Sequence, residues 1–185
     1  MKEYFVKYRP FLIFLGKFLL TYAVLTLVYQ SYLGQYDKAA FEVDGFTKSV
    51  AAQTKGLMGV FTDNVSVQAH QSQSSMKLFY NHKFVARIVE GCNALSVIIL
   101  FVAFVVAFSG KWKATVLFIF GGSLLIHVLN VIRIAVLAFA LYQFPDQEEL
   151  LHGVIFPLFI YGVVFILWVI WVNKFSLYAE KPAQK

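Results

Sequence analysis

Four stretches of the chain run almost without polar residues, and a long interval of mixed character separates the first from the second. The apolar runs cover residues 11–33, with Lys17 as the one charge, then 92–109, 114–144 and 152–172. A hydrocarbon core about 30 Å thick takes about 20 residues of helix, and each run meets or nearly meets that length. The pattern predicts an all-α integral membrane protein with about four transmembrane helices, forming a single membrane domain over residues 1–185. The third run, about 30 residues, is too long for one perpendicular crossing. It has to tilt, protrude or break, and Gly121, Gly122 and Asn130 are the candidate break points. The first run is longer than a signal-peptide core and lacks a small-residue cleavage site after it, which predicts an uncleaved signal anchor.

The interval 34–91 reads as an extracytoplasmic insertion between the first two spans. Phe46, Val50, Ala51, Leu57, Met58 and Phe61 recur at helical spacing with Lys48 and Lys55 among them, so a helix lying on the outer surface is expected. Asp44-Gly45 supplies its start signal. From Asn64 to Glu90 the pattern changes to strand. Leu78, Tyr80, Phe84, Ala86 and Ile88 are spaced by twos on either side of Asn81-His82, as in a β-hairpin, while the polar run from Gln68 to Ser75 reads as a loop. A surface helix plus a hairpin at this place makes 34–91 a candidate lid.

Composition agrees with the pattern: 59% of residues are hydrophobic and 14% charged, where a soluble domain has about a quarter charged. Disorder, a nucleic-acid-binding domain and an ordinary cytosolic enzyme are excluded, and the net charge of +6 is assigned to the flanks of spans, with no nucleic acid as partner. With both termini cytoplasmic, the short inner segments hold Lys2, Lys7, Arg9, Lys111, Lys113, Lys174, Lys181 and Lys185 against Glu3 and Glu180. The longer outer segments hold Lys38, Lys48, Lys55, Lys77, Lys83 and Arg87 together with eight acids. Basic density favours that orientation, and Trp112, Trp168 and Trp171 fall at the same inner boundary, as an aromatic belt does.

Polar groups inside spans are costly and call for a reason. Lys17 is placed to snorkel to the inner interface. Arg133 lies about 30 Å from Lys113 along the third span, at its outer edge. Cys92 begins the second span and His152 the fourth on that same side, so three spans deliver a thiol, a guanidinium and an imidazole to one depth. Only a thiolate attacks, and both a helix N-terminus and a nearby cation favour it. Arg133 can supply that cation or stabilise a developing oxyanion, and His152 can carry protons. The three together make chemical sense as a cysteine acyl-transfer site. The single cysteine excludes an internal disulfide. His70 and His82 have no metal-ligand spacing, so no metal or other cofactor is expected.

Glu90-Gly91-Cys92-Asn93-Ala94-Leu95-Ser96, Asn130-Val131-Ile132-Arg133-Ile134 and His152-Gly153-Val154-Ile155-Phe156 resemble, in order and on the right spans, the three signature segments of the exosortase/archaeosortase family. The resemblance covers roughly residues 88–172, and the chain's shortness looks most like the small Bacteroidetes-type branch called exosortase F. It implies Cys92 as nucleophile, Arg133 as essential cation and His152 as acid/base. The implied activity is cleavage of the C-terminal sorting signal of exported proteins, with transfer to an envelope acceptor. The implied substrates carry a short motif, a transmembrane helix and a basic tail, and the implied setting is the bacterial inner membrane and its lipids. The better-known members follow the cysteine with Ser-Gly, where this chain has Asn93-Ala94.

Around the three, Glu90 is either a partner for His152 or Arg133 or a plain loop carboxylate. Asn93 is a supporting residue next to the cysteine. Asn130, one turn from Arg133, either holds its guanidinium or makes a helix–helix hydrogen bond. His127 reads as a packing residue, and Pro157 should bend the fourth span just below His152. Two other classes fit the same features: a non-catalytic transport subunit with a structural arginine, and a lipid-directed acyltransferase using the same thiol.

Overall fold

The computed structural model describes residues 2–37 and 39–176. Lys38, Glu180, Lys181 and Lys185, used in the charge comparison, lie outside the described residues. Helix α1 covers Lys2–Leu33, α2 Gly45–Gly59, α3 Leu95–Ala107 and α4 Trp112–Gln143, and a last helix runs over Pro145–Phe175. Strands β1 (Val65–Ala69), β2 (Ser75–Tyr80) and β3 (Lys83–Val89) form one antiparallel sheet in the order β1-β2-β3.

Among the described residues, three helices are long and apolar enough to cross a membrane: Tyr8–Leu33, Trp112–Gln143 and Pro145–Phe175. The expected second span is shorter than its apolar run. Helix α3 has 13 residues, about 20 Å of rise, because Glu90–Cys92 closes as a 3₁₀ turn and Ala94 adopts a left-handed φ of 63°. Helix α4 is unbroken at Gly121, Gly122 and Asn130, so its length leaves tilt or protrusion. Gly122 has a packing role instead: a Cβ there would enter the ring of Phe101 on α3, whereas Gly121 meets open space. The last helix starts at Pro145, which puts His152 inside it rather than at its beginning.

Helices α1 and α3 lie antiparallel, with Tyr29 meeting Asn93 at one end and Lys17 Nζ donating to Ser109 Oγ at 2.8 Å at the other. Lys17 is therefore tied within the protein. The expected tryptophan belt reduces to Trp112, which is exposed. Trp171 is fully buried and packs against Gly110, and Trp168 stacks on Phe104.

Helix α2 begins where the Asp44 side chain accepts from the Thr47 N–H at 2.9 Å, a standard N-cap. Its inward face is Thr47, Val50, Ala51, Thr54 and Met58, rotated from the expected one. Phe46 and Phe61 are exposed, and Phe61 lies beyond the helix end. The rotation follows from what α2 covers. Val50 and Met58 share a core with Leu78 and Ile88 of the sheet and Ile134 and Ala138 of α4. The hairpin turns on Asn81 and His82, with φ of 49° and 62°, the two left-handed residues that a tight hairpin takes. Strand β1, which absorbs Gln68 and Ala69 from the expected loop, adds the third strand.

Candidate active site

Strand β3 ends at Val89, and the chain passes through the turn Glu90–Cys92 before α3 begins at Leu95. Cys92 thus closes a short 3₁₀ turn instead of opening the long helix, and it is 7% exposed. Four other elements shape this turn. Asn130 of α4, buried, donates its Nδ2 to the Cys92 carbonyl at 2.7 Å. Asn93, also buried, donates to the Tyr29 hydroxyl of α1 at 3.0 Å and to Thr47 Oγ1 of α2 at 3.4 Å. Its Oδ1 accepts from the Leu95 N–H at 2.9 Å, satisfying one of the open donors at the start of α3. The Tyr29 hydroxyl donates to Glu90 Oε1 at 2.8 Å. Asn130 and Glu90 therefore hold the cysteine turn, and among the described residues neither side chain bonds Arg133 or His152, which was one of the two readings open for each. Ala94 adopts a left-handed conformation, one that glycine takes without strain and alanine rarely takes.

Cys92, Arg133 and His152 together line two cavities. One, of about 170 Å³, is walled by β3 and by Leu137 and Leu141 of α4. The other, of about 300 Å³, is walled by Gly91, Val97, Pro157, Ile160 and Tyr161. The half-buried Arg133 side chain shares these walls with Cys92 and, in the larger cavity, with Tyr161, and among the described residues its Nε is buried without a hydrogen-bond partner. His152 is exposed on the cavity wall and makes no side-chain hydrogen bond among the described residues. It sits in a π turn, Leu151–Ile155, in which the Phe156 N–H bonds the Leu151 carbonyl. Pro157 follows directly, and with no N–H to give it disturbs the α-helical ladder at this point. The expected bend is here a widened turn, a form common at functional sites.

His127 lies elsewhere, with its Nε2 2.7 Å from Gln53 Oε1 of α2, and it lines neither cavity. Tyr29, Thr47 and Tyr161 were not singled out from sequence. Tyr161 is nine residues from His152, which at about 100° per residue is the opposite face of an ideal helix. The π turn swings it round to the same cavity. Tyr29 and Thr47 carry no local signal, since their role depends on where Asn93 sits.

Fold and site together define a multi-pass membrane protein that gathers a thiol, a guanidinium and an imidazole around two shared cavities. The chain belongs to the transmembrane exosortase family, whose model, described as Transmembrane exosortase (Exosortase_EpsH), matches residues 11–175. That match takes in α1, α2 and the sheet, which the three signature segments did not reach. No curated protein and no solved structure matches the chain.

Proposed function

We propose that the chain is a membrane-embedded cysteine protease/transpeptidase that cleaves the C-terminal sorting signal of exported proteins at the extracytoplasmic face of a bacterial inner membrane. In this reading the chain crosses four times with both termini cytoplasmic, α3 being a short crossing, and the 34–91 segment covers the site. The small Bacteroidetes-type branch is the one it fits. Substrates are exported proteins whose C-terminal motif, transmembrane helix and basic tail hold the scissile bond at the level of Cys92 by proximity.

The observation that carries the reading is Arg133, which lines both cavities with Cys92 while its Nε is buried and, among the described residues, unpaired. An unmet buried donor costs about 1–3 kcal/mol, and a charged ligand that forms during reaction would satisfy it. The oxyanion generated when the Cys92 thiolate adds to a substrate carbonyl is such a ligand, formed next to that donor. His152 takes the thiol proton and returns it to the leaving amine as the tetrahedral adduct collapses to a thioester. An amine or hydroxyl acceptor, or water, then gives its proton to His152 and displaces Cys92.

The test compares the envelope proteins of cells with and without the gene by C-terminal mass spectrometry, then repeats the comparison with variants. Cys92→Ala should leave every affected tail uncut, with no acyl-enzyme. Arg133→Lys, which keeps charge but loses the planar donor set, should lose on the order of 100-fold of activity. Tails cut normally by Cys92→Ala protein at ordinary membrane level would refute the enzyme, and tolerance of Cys92→Ser would point to the transport-subunit class.

A further inference from the structure

Strand β3 is an edge of the sheet: β2 pairs with one side of it and, among the described residues, no strand pairs with the other. Side chains alternate along a strand, so a strand showing a cavity one face lines it with every second residue. Here Phe84, Val85, Ala86 and Arg87 line a cavity of about 490 Å³, and Ala86, Arg87, Ile88 and Val89 line the 170 Å³ cavity beside Cys92. The larger cavity also takes in His70, Lys77 and Phe79, and Val85 is the extra residue of a bulge. That cavity therefore opens over one face of the sheet and wraps round the β3 edge, while the run 86–89 beside Cys92 presents that edge to the smaller one. The two cavities share Ala86, Arg87, Leu141 and Glu148, so they form one trough between β3 and the start of the last helix. Among the described residues no backbone hydrogen bond outside the sheet uses an N–H or carbonyl of β3. This edge runs from Lys83 through Val89 straight into the turn that carries Cys92.

The outer end of the trough has a sign. Lys77 and Arg87 are direct cross-strand partners, and His70 lines the same cavity. Like charges placed opposite each other destabilise a sheet. Arg87 finds Gln73, and Glu148 is the one acid lining that cavity. The excess is positive, and a carboxylate would complement it.

We propose that the free edge of β3 is the docking strand for the substrate segment just before the scissile bond, an extended peptide that pairs parallel to β3 and places an acidic side chain at Lys77 and Arg87. This rests on the reading of Cys92 as a nucleophile acting on exported proteins. The direction follows from topology. A substrate descending from its exported domain to the scissile bond runs the same way as β3 descending to Cys92. Main-chain pairing gives affinity and fixes register, and side-chain sites give selectivity. Arg87 precedes Cys92 by five positions, the last three in the 3₁₀ turn with its shorter rise, so the acidic residue falls about four residues before the cut in a paired extended strand.

The probe is an exported reporter domain fused to a tail found to be cut in the experiment above, with single cysteines at successive positions before the cut. The enzyme carries Cys92→Ala with Phe84→Cys, Arg87→Cys or Val89→Cys, and disulfides are formed in native membranes. Each enzyme position should capture one or two neighbouring reporter positions, and the captured position should move toward the cut as the enzyme cysteine moves from 84 to 89. A reversed order, or no capture on β3 while the unaltered enzyme cuts the cysteine-free reporter, overturns the docking strand and leaves the enzyme reading intact. Cutting by the Cys92→Ala protein instead overturns the enzyme reading. With the catalytic cysteine restored, replacing the reporter's acid by lysine should slow cutting about tenfold, and Arg87→Glu should recover it. Insensitivity to both changes overturns the charge assignment.

Discussion

Asn130→Ala asks whether the site is held from α4. The substitution removes the 2.7 Å hydrogen bond from Asn130 Nδ2 to the Cys92 carbonyl in a place where the donor is 1% exposed. Water has little access, so the carbonyl loses a partner without replacement, at about 1–3 kcal/mol. If that energy appears as displacement of the Glu90–Cys92 turn, cutting slows by about 5- to 150-fold at about 1.4 kcal/mol per tenfold. If it appears as global instability, the amount of enzyme falls and the rate per molecule holds. Asn130→Asp separates the two further, because a carboxylate sets an acceptor against an acceptor and should be worse than alanine. The assay is tail cutting per molecule of membrane-resident enzyme, paired with the rate at which a small maleimide labels Cys92. Asn130→Ala protein that cuts and labels at the ordinary rate would refute the role given to this hydrogen bond.

Ala94 and Gly122 give two stability predictions, read as thermal midpoints in detergent. Ala94→Gly relieves a left-handed alanine, worth about 1–2 kcal/mol, against about 0.4–1 kcal/mol of added unfolded-chain entropy. The midpoint should rise by about 2 °C, and a clear fall would show that the buried methyl of Ala94 matters more than its backbone strain. Gly122→Ala drives a methyl into Phe101 and should cost about 1–3 kcal/mol. Gly121→Ala, facing open space, should stay within about 0.5 kcal/mol, and equal effects at the two glycines would remove the packing explanation.

The long helices were legible because their apolar runs are uninterrupted, and the β2–β3 hairpin because its alternation brackets Asn81 and His82. Strand β1 was not, since Val65–Ala69 is short and mostly exposed, with only Val65 buried. The start of α3 was hidden by chemistry that looks helical: nothing in an alanine announces a φ of 63°. The inward face of α2 was misjudged because two of its buried positions are threonines, Thr47 bonded to Asn93 and Thr54 fully buried. Cys92, Arg133 and His152 stood out as polar or reactive groups in apolar surroundings. Glu90, Asn93 and Asn130, which hold the turn, were singled out as supporting residues, but Tyr29 and Thr47 were not, because each acts through a partner on another element.

Those partners are far away along the chain. Tyr29 and Glu90 are 61 positions apart, Tyr29 and Asn93 64, Thr47 and Asn93 46, and Cys92 and Asn130 38. The local bonds are Asn93 with Leu95 and the Asn93 N–H with the Glu90 carbonyl. Closing loops of such size costs chain entropy that nearby residues cannot offset, so the turn takes its shape only after α1, α2 and α4 have docked. In a chain inserted helix by helix, the thiol enters the membrane before Asn130, Arg133 or His152 has been synthesised. The cysteine is made early, and its surroundings are completed only with the bundle.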